Sequence, residues 1–131
     1  GVKPTSAGAY RLRLDARRPA TAADRAAVEG HRAFARARKL RDPGKAATWP
    51  EAVEGFTIAL ARFTEAGDAT GVAKTTLELG ITENYLSKPE ALERGRAAVQ
   101  LARETGEQGA LARALRLVGN ILVGRGDYPA A

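Results

Sequence analysis

The stretch Pro50-Glu51-Ala52-Val53-Glu54-Gly55-Phe56-Thr57-Ile58-Ala59-Leu60 returns 39 residues later as Pro89-Glu90-Ala91-Leu92-Glu93-Arg94-Gly95-Arg96-Ala97-Ala98-Val99. Pro-Glu-Ala meets Pro-Glu-Ala, and Ala59-Leu60 meets Ala98-Val99. The same spacing of 39 relates Gly67-Asp68 to Gly106-Glu107, Ala73 to Ala112, and Leu79-Gly80 to Val118-Gly119. A fixed period of this size is the mark of a stacked repeat, in which each unit buries its apolar face against its neighbours. Extended backwards, the register maps Leu79 to Leu40 and Ala73 to Phe34, so the preceding segment is a degenerate first member.

Each unit reads as two helices. Residues 22–41, 50–66, 70–86, 89–105 and 108–125 are expected to be helical, with a further helix starting near Pro129. In the first, Ala26, Gly30, Ala33, Phe34, Ala37 and Leu40 form an apolar stripe at 3–4 spacing. Thr21 with Asp24 has the spacing of a capping box, and so do Thr48 with Glu51 and Ser87 with Glu90. Pro50 and Pro89 stand at or beside first helical positions. Asp42-Pro43-Gly44 ends a helix, and Gly67 and Gly106 sit where helices end in the left-handed conformation.

Composition agrees with an all-helical chain. The 131 residues suit one domain. Ala occurs 28 times while aromatics are only 5%, which favours thin helices in close contact over a β-sandwich. With no Cys, there is no disulfide framework, no thiolate zinc site and no thiol nucleophile. No apolar run approaches the roughly 20 residues of a membrane helix. The chain has no Met and opens on Gly1, so it is expected to be a piece of a larger protein. Its net charge of +6 is uneven: residues 1–48 carry 12 Lys/Arg against 4 Asp/Glu, and residues 49–131 carry 9 against 11.

Residues 1–20 are expected to form an extended arm and linker, and residues 21–131 about 2.5 to 3 helical units, the last cut short. Within the arm, Tyr10, Leu12 and Leu14 alternate with Arg11 and Arg13, the period-2 pattern of a short strand. A lone strand leaves its backbone groups unpaired, so it must borrow a sheet or pair with another copy. Self-association through this strand or the truncated C-terminus follows as an expectation.

The repeat resembles the tetratricopeptide family. The residues that carry the resemblance are Val118-Gly119, the turn Gly126-Asp127-Tyr128 and Ala131, and in the middle unit Leu79-Gly80, Tyr85, Ala91 and Ala98. The first unit contributes Trp49, Ala52, Phe56 and Ala59. The period of 39 exceeds the family's usual length of about 34, so the helices are longer by about a turn. The middle unit has Leu86-Ser87-Lys88 in place of the Gly-Asp-Tyr turn. The resemblance covers residues 30–131 and implies antiparallel helix pairs stacked into a right-handed superhelix. It also implies a concave surface lined by the first helix of each unit. In this register that surface takes Lys74, Leu77, Ile81 and Asn84, with Tyr85 beside them, and then Arg113, Arg116, Asn120 and Val123. Three cations and two amides over an apolar floor suit an extended peptide with an acidic group or a free carboxylate. The function implied is non-enzymatic: an interaction module of a larger chain that binds a protein or peptide, as a scaffold, or holds neighbouring domains of its own chain in place.

Residues 8–25 resemble a junction in large bacterial proteins in which a β domain is followed by tetratricopeptide repeats and then a caspase-like CHAT peptidase domain. The matching residues are Gly8-Ala9-Tyr10-Arg11-Leu12-Arg13-Leu14, Arg18-Pro19-Ala20-Thr21 and Asp24-Arg25. This resemblance implies an alternative role as a regulatory segment of such a peptidase, with its catalytic residues on another part of the chain. It also implies export to the cell envelope.

Other patterns have simpler readings. His31 is the only His, without the partners that a metal or a nucleophile–base site needs. Residues 67–75 have part of a phosphate-loop pattern, but Ala73 stands where Gly must precede the Lys, and no strand comes before it. No cofactor or metal is expected. Arg125-Gly126-Asp127 reads as an inter-helix turn. Glu51/Glu54 and Glu90/Glu93 sit in first turns, where acidic groups favour the helix dipole. Arg25, Arg32, Arg36 and Lys39 share one helix face and are the best nucleic-acid candidate. About four phosphate contacts without interleaved aromatics would give only weak, salt-sensitive binding, with Kd of roughly 10⁻⁴–10⁻⁶ M.

Overall fold

The computed structural model describes residues 19–126. Among them the chain is all-helical, with no strand. The helices are α1 (Ala22–Leu40), α2 (Trp49–Ala66), α3 (Ala69–Tyr85), α4 (Ala91–Thr105) and α5 (Gln108–Gly124). All five lie within two residues of the expected spans, the scatter normal for frayed helix ends. A 3₁₀ turn, Ala46–Thr48, precedes α2 and was not anticipated. The expected strand at 10–14 and the helix starting near Pro129 lie outside the described residues. No helix among those described is long and apolar enough to cross a membrane.

The capping signals divide. Thr21 and Asp24 form the expected box: Asp24 N donates to Thr21 Oγ1 at 3.1 Å, and Thr21 N donates to Asp24 Oδ2 at 3.0 Å. The box expected at Thr48 and Glu51 does not form. The 3₁₀ turn puts Thr48 in the helical region, and its hydroxyl donates backwards to the carbonyls of Leu40 and Lys45. The box expected at Ser87 and Glu90 is also absent, because Ser87 closes α3 instead of opening α4. Its φ is +55°, Ser87 N bonds Asn84 O at 2.9 Å, and Lys88 N bonds Glu83 O at 2.9 Å. That double bond pattern also ends α2 at Gly67 (φ +69°) and α4 at Gly106 (φ +71°).

Each helix packs on the next in sequence, and α3 also reaches α5. The core has two clusters. Ala37, Ala52, Phe56 and Leu79 form one; Leu77, Ala91, Ala98, Ala114, Leu117 and Ile121 form the other. Buried Ala in both allows close helix approach. Helix α3 serves both clusters, Leu79 entering one and Leu77 the other. It is therefore enclosed on two sides, and Thr75, Thr76, Glu78, Thr82 and Glu83 are buried along with its apolar residues. Phe63, on α2, packs closely on two glycines: a Cβ on Gly30 would stand 2.9 Å from its ring, and one on Gly71 2.6 Å. A Cβ on Gly119 would meet nothing within 4 Å.

Candidate functional site

The C-terminal end of α1 and the neighbouring faces of α3 and α5 enclose a concavity of about 250 Å³. Its walls include Ile81, Asn84 and Tyr85 from α3 and Arg113, Arg116 and Asn120 from α5. These are six of the nine residues the register places on one surface. They come together because Ile81/Asn84/Tyr85 occupy one face of α3 at 3–4 spacing, and Arg113/Arg116/Asn120 do the same on α5. Arg41, at the C-cap of α1, and Leu117 complete the lining. Three guanidinium groups and two amides thus border one space, and no carboxylate among the described residues lines it.

A second concavity, of about 410 Å³, continues beyond Arg113, which borders both. Lys74 lies here, away from Arg116, with its Nζ 5.8 Å from the centre of the Phe34 ring. Leu77 only edges this space. It is 2% exposed and belongs to the core, because its side of α3 is covered by α4 and α5. Val123 is exposed and lines neither concavity.

Two carboxylates are buried on α3. Glu78 takes one guanidinium from each side: Arg41 on one oxygen and Arg113 Nη1 on the other at 3.1 Å. Its side chain is 8% exposed, against 47% for Arg113. Arg113 is therefore partly engaged before any ligand arrives. Glu83 accepts a fork from Arg94, Nε to Oε1 at 3.1 Å and Nη2 to Oε2 at 3.2 Å. The sequence reading missed Glu78, Glu83, Arg41 and Arg94. A signal existed: in the 39-residue register Glu78 falls on Leu117 and Glu83 on Leu122, so charges stand where the sister helix has leucine.

Tyr85 is held at the rim by Trp49, with ring centres 5.1 Å apart. Trp49 is fixed in turn, its indole N–H donating to Asp42 O at 2.9 Å.

The remaining candidates disperse. His31 sits edge-on to Phe63 at 4.9 Å. No group of three His, Asp or Glu among the described residues could hold a metal. Arg25 donates to Ala20 O at 2.9 Å. Arg32 and Arg36 share a cleft with Glu51 and Glu54, while Lys39 borders a different hollow with Arg38 and Asp42. The basic stripe of α1 is therefore interrupted by acidic neighbours. Comparison with family models, with curated proteins and with solved structures finds no match.

Proposed function

We propose that the chain is a tetratricopeptide-like repeat module that binds an extended peptide bearing an acidic group or a free carboxylate, and catalyses no reaction. In this reading the helix pairs continue a right-handed superhelix, and the concave side receives the ligand. One observation carries it: Arg41, Arg113 and Arg116 converge with Asn84, Asn120 and Tyr85 on one concavity, and while Glu78 already holds Arg41 and Arg113, Arg116 makes no ion pair with a described residue. Guanidinium groups pair with carboxylates through two parallel hydrogen bonds, and the amides can bond a peptide backbone. Ile81 and Leu117 supply apolar contact between them.

The test is fluorescence anisotropy with a panel of labelled peptides of matched sequence, ending either in a free carboxylate or in an amide, with and without Asp or Glu side chains. Preference for the acidic or free-acid members supports the reading. Arg116→Ala should then weaken binding by about 1.5–3 kcal/mol, the range for a hydrogen bond to a charged group, with thermal stability nearly unchanged. No preference across the panel overturns the ligand class. Tighter binding of an oligonucleotide, with a steep salt dependence, would favour the basic face of α1 instead.

A further inference from the structure

Helices α1 and α2 border a separate cleft of about 350 Å³, to which α3, α4 and α5 contribute nothing. Its charges are sorted by wall. Arg32 and Arg36 line the α1 side, and Glu51 and Glu54 line the α2 side. No ion pair joins any of these four to another described residue. Ile58, on the same stripe of α2, is 53% exposed in the cleft. One turn further on, the signs reverse: Glu29 is on α1 and Arg62 on α2, with Arg62 Nε 3.0 Å from Glu29 Oε2.

We propose that this face pairs two copies of the chain. A surface that is positive on one wall and negative on the other is complementary to itself across a two-fold axis. With the axis parallel to the cleft, α1 of each copy lies over α2 of the other. Level residues of the two helices are fixed by the Glu29–Arg62 pair and by Gly55 against Ala37. Arg36 then meets the second copy's Glu54, Arg32 and Glu51 flank that contact, and the reciprocal pair forms at the same time. The Glu29/Arg62 turn is complementary in the same arrangement. Ile58 is covered by the second copy's α1. The other in-plane axis, across the cleft, would lay α1 on α1 and set arginine against arginine. Juxtaposed like charges are strongly unfavourable, so the charge pattern selects the first axis. A second copy fits better than an unrelated partner because it presents the opposite charges at the spacing of this same cleft. The association is weak and salt-sensitive, since exposed ion pairs contribute little each and are screened.

Sedimentation equilibrium of the full 131-residue chain over a range of concentrations tests this. At low salt the weight-average mass should rise from 13.8 kDa toward twice that value, and added salt should reverse the rise. Charge reversal discriminates further. Arg32→Glu with Arg36→Glu makes both walls acidic, and Glu51→Arg with Glu54→Arg makes both basic. Each double variant alone should raise the dimer dissociation constant at least roughly tenfold, and an equimolar mixture of the two should recover a dimer. Ile58→Asp should weaken pairing without altering any of the four charges. Circular dichroism checks helicity, and recovery in the mixture requires both variants to be folded. A chain that stays monomeric at every concentration overturns the proposal. A dimer that survives both reversals overturns it as well, because the contact then lies elsewhere.

Discussion

Ser87 holds φ at +55°, in a place where three other helices of the chain use glycine: Gly67, Gly106 and Gly126. A Cβ crowds the backbone in this region, and a non-glycine residue there costs about 1–2 kcal/mol. Ser87 is exposed, so its side chain contributes no core packing. Ser87→Gly is expected to stabilise the chain by about 1 kcal/mol, read from the midpoint of urea unfolding at constant slope. A loss of stability would mean that the serine hydroxyl does more than the backbone geometry indicates. Spacing alone could not distinguish this role from a cap. A Ser three residues before a Glu can either open a helix or close one, and here the preceding helix runs up to it.

The helices themselves were legible. Their spans follow from apolar periodicity, capping residues and turn residues, all of them local signals. How closely one helix may approach the next was not. Phe63 is 2% exposed, and both Gly30 and Gly71 lie close against its ring. Gly71→Ala should improve helix propensity by up to about 1 kcal/mol, yet it puts a methyl 2.6 Å from the buried Phe63 ring. A net loss of about 1–3 kcal/mol is expected from overpacking. Gly119→Ala is the contrast. Its added methyl meets nothing within 4 Å, so propensity acts alone and stability should rise by about 0.5–1 kcal/mol. Thermal melts of the two variants should move in opposite directions. A shared sign would show that Phe63 is not held as tightly as its two glycine neighbours imply.

At the scale of the whole molecule, Glu78 ties three helices together. Arg41 reaches it from the end of α1 and Arg113 from α5, while Glu78 itself is on α3. Removing the carboxylate leaves Arg41, 15% exposed, without its charge partner in a mostly dry setting. Glu78→Ala should therefore cost about 3 kcal/mol, near the lower end for breaking a buried pair. Arg113 is 47% exposed, so its pair is screened, and Arg113→Ala should cost less than about 1 kcal/mol. Urea titration of both variants separates the two effects. Equal losses would mean that the Arg113 pair carries all that Glu78 contributes and the Arg41 pair nothing.

The 39-residue register was enough to assign five helices and to bring Arg113, Arg116 and Asn120 to the same space as Ile81, Asn84 and Tyr85. Such features depend on helical pitch, and pitch is carried by residues three and four apart along the chain. The occupancy of that space was not readable in the same way. Leu77 belongs to the core, Lys74 lies toward Phe34, and Arg113 is partly held by Glu78. Each outcome depends on which neighbour covers a given side of α3. A helix flanked by one partner shows an amphipathic pattern; one enclosed from two sides buries polar and apolar residues alike, and its stripe no longer tells inside from outside. The placement of Glu78, Glu83 and their arginines was therefore set by residues as far as 37 positions away, beyond the reach of any local pattern.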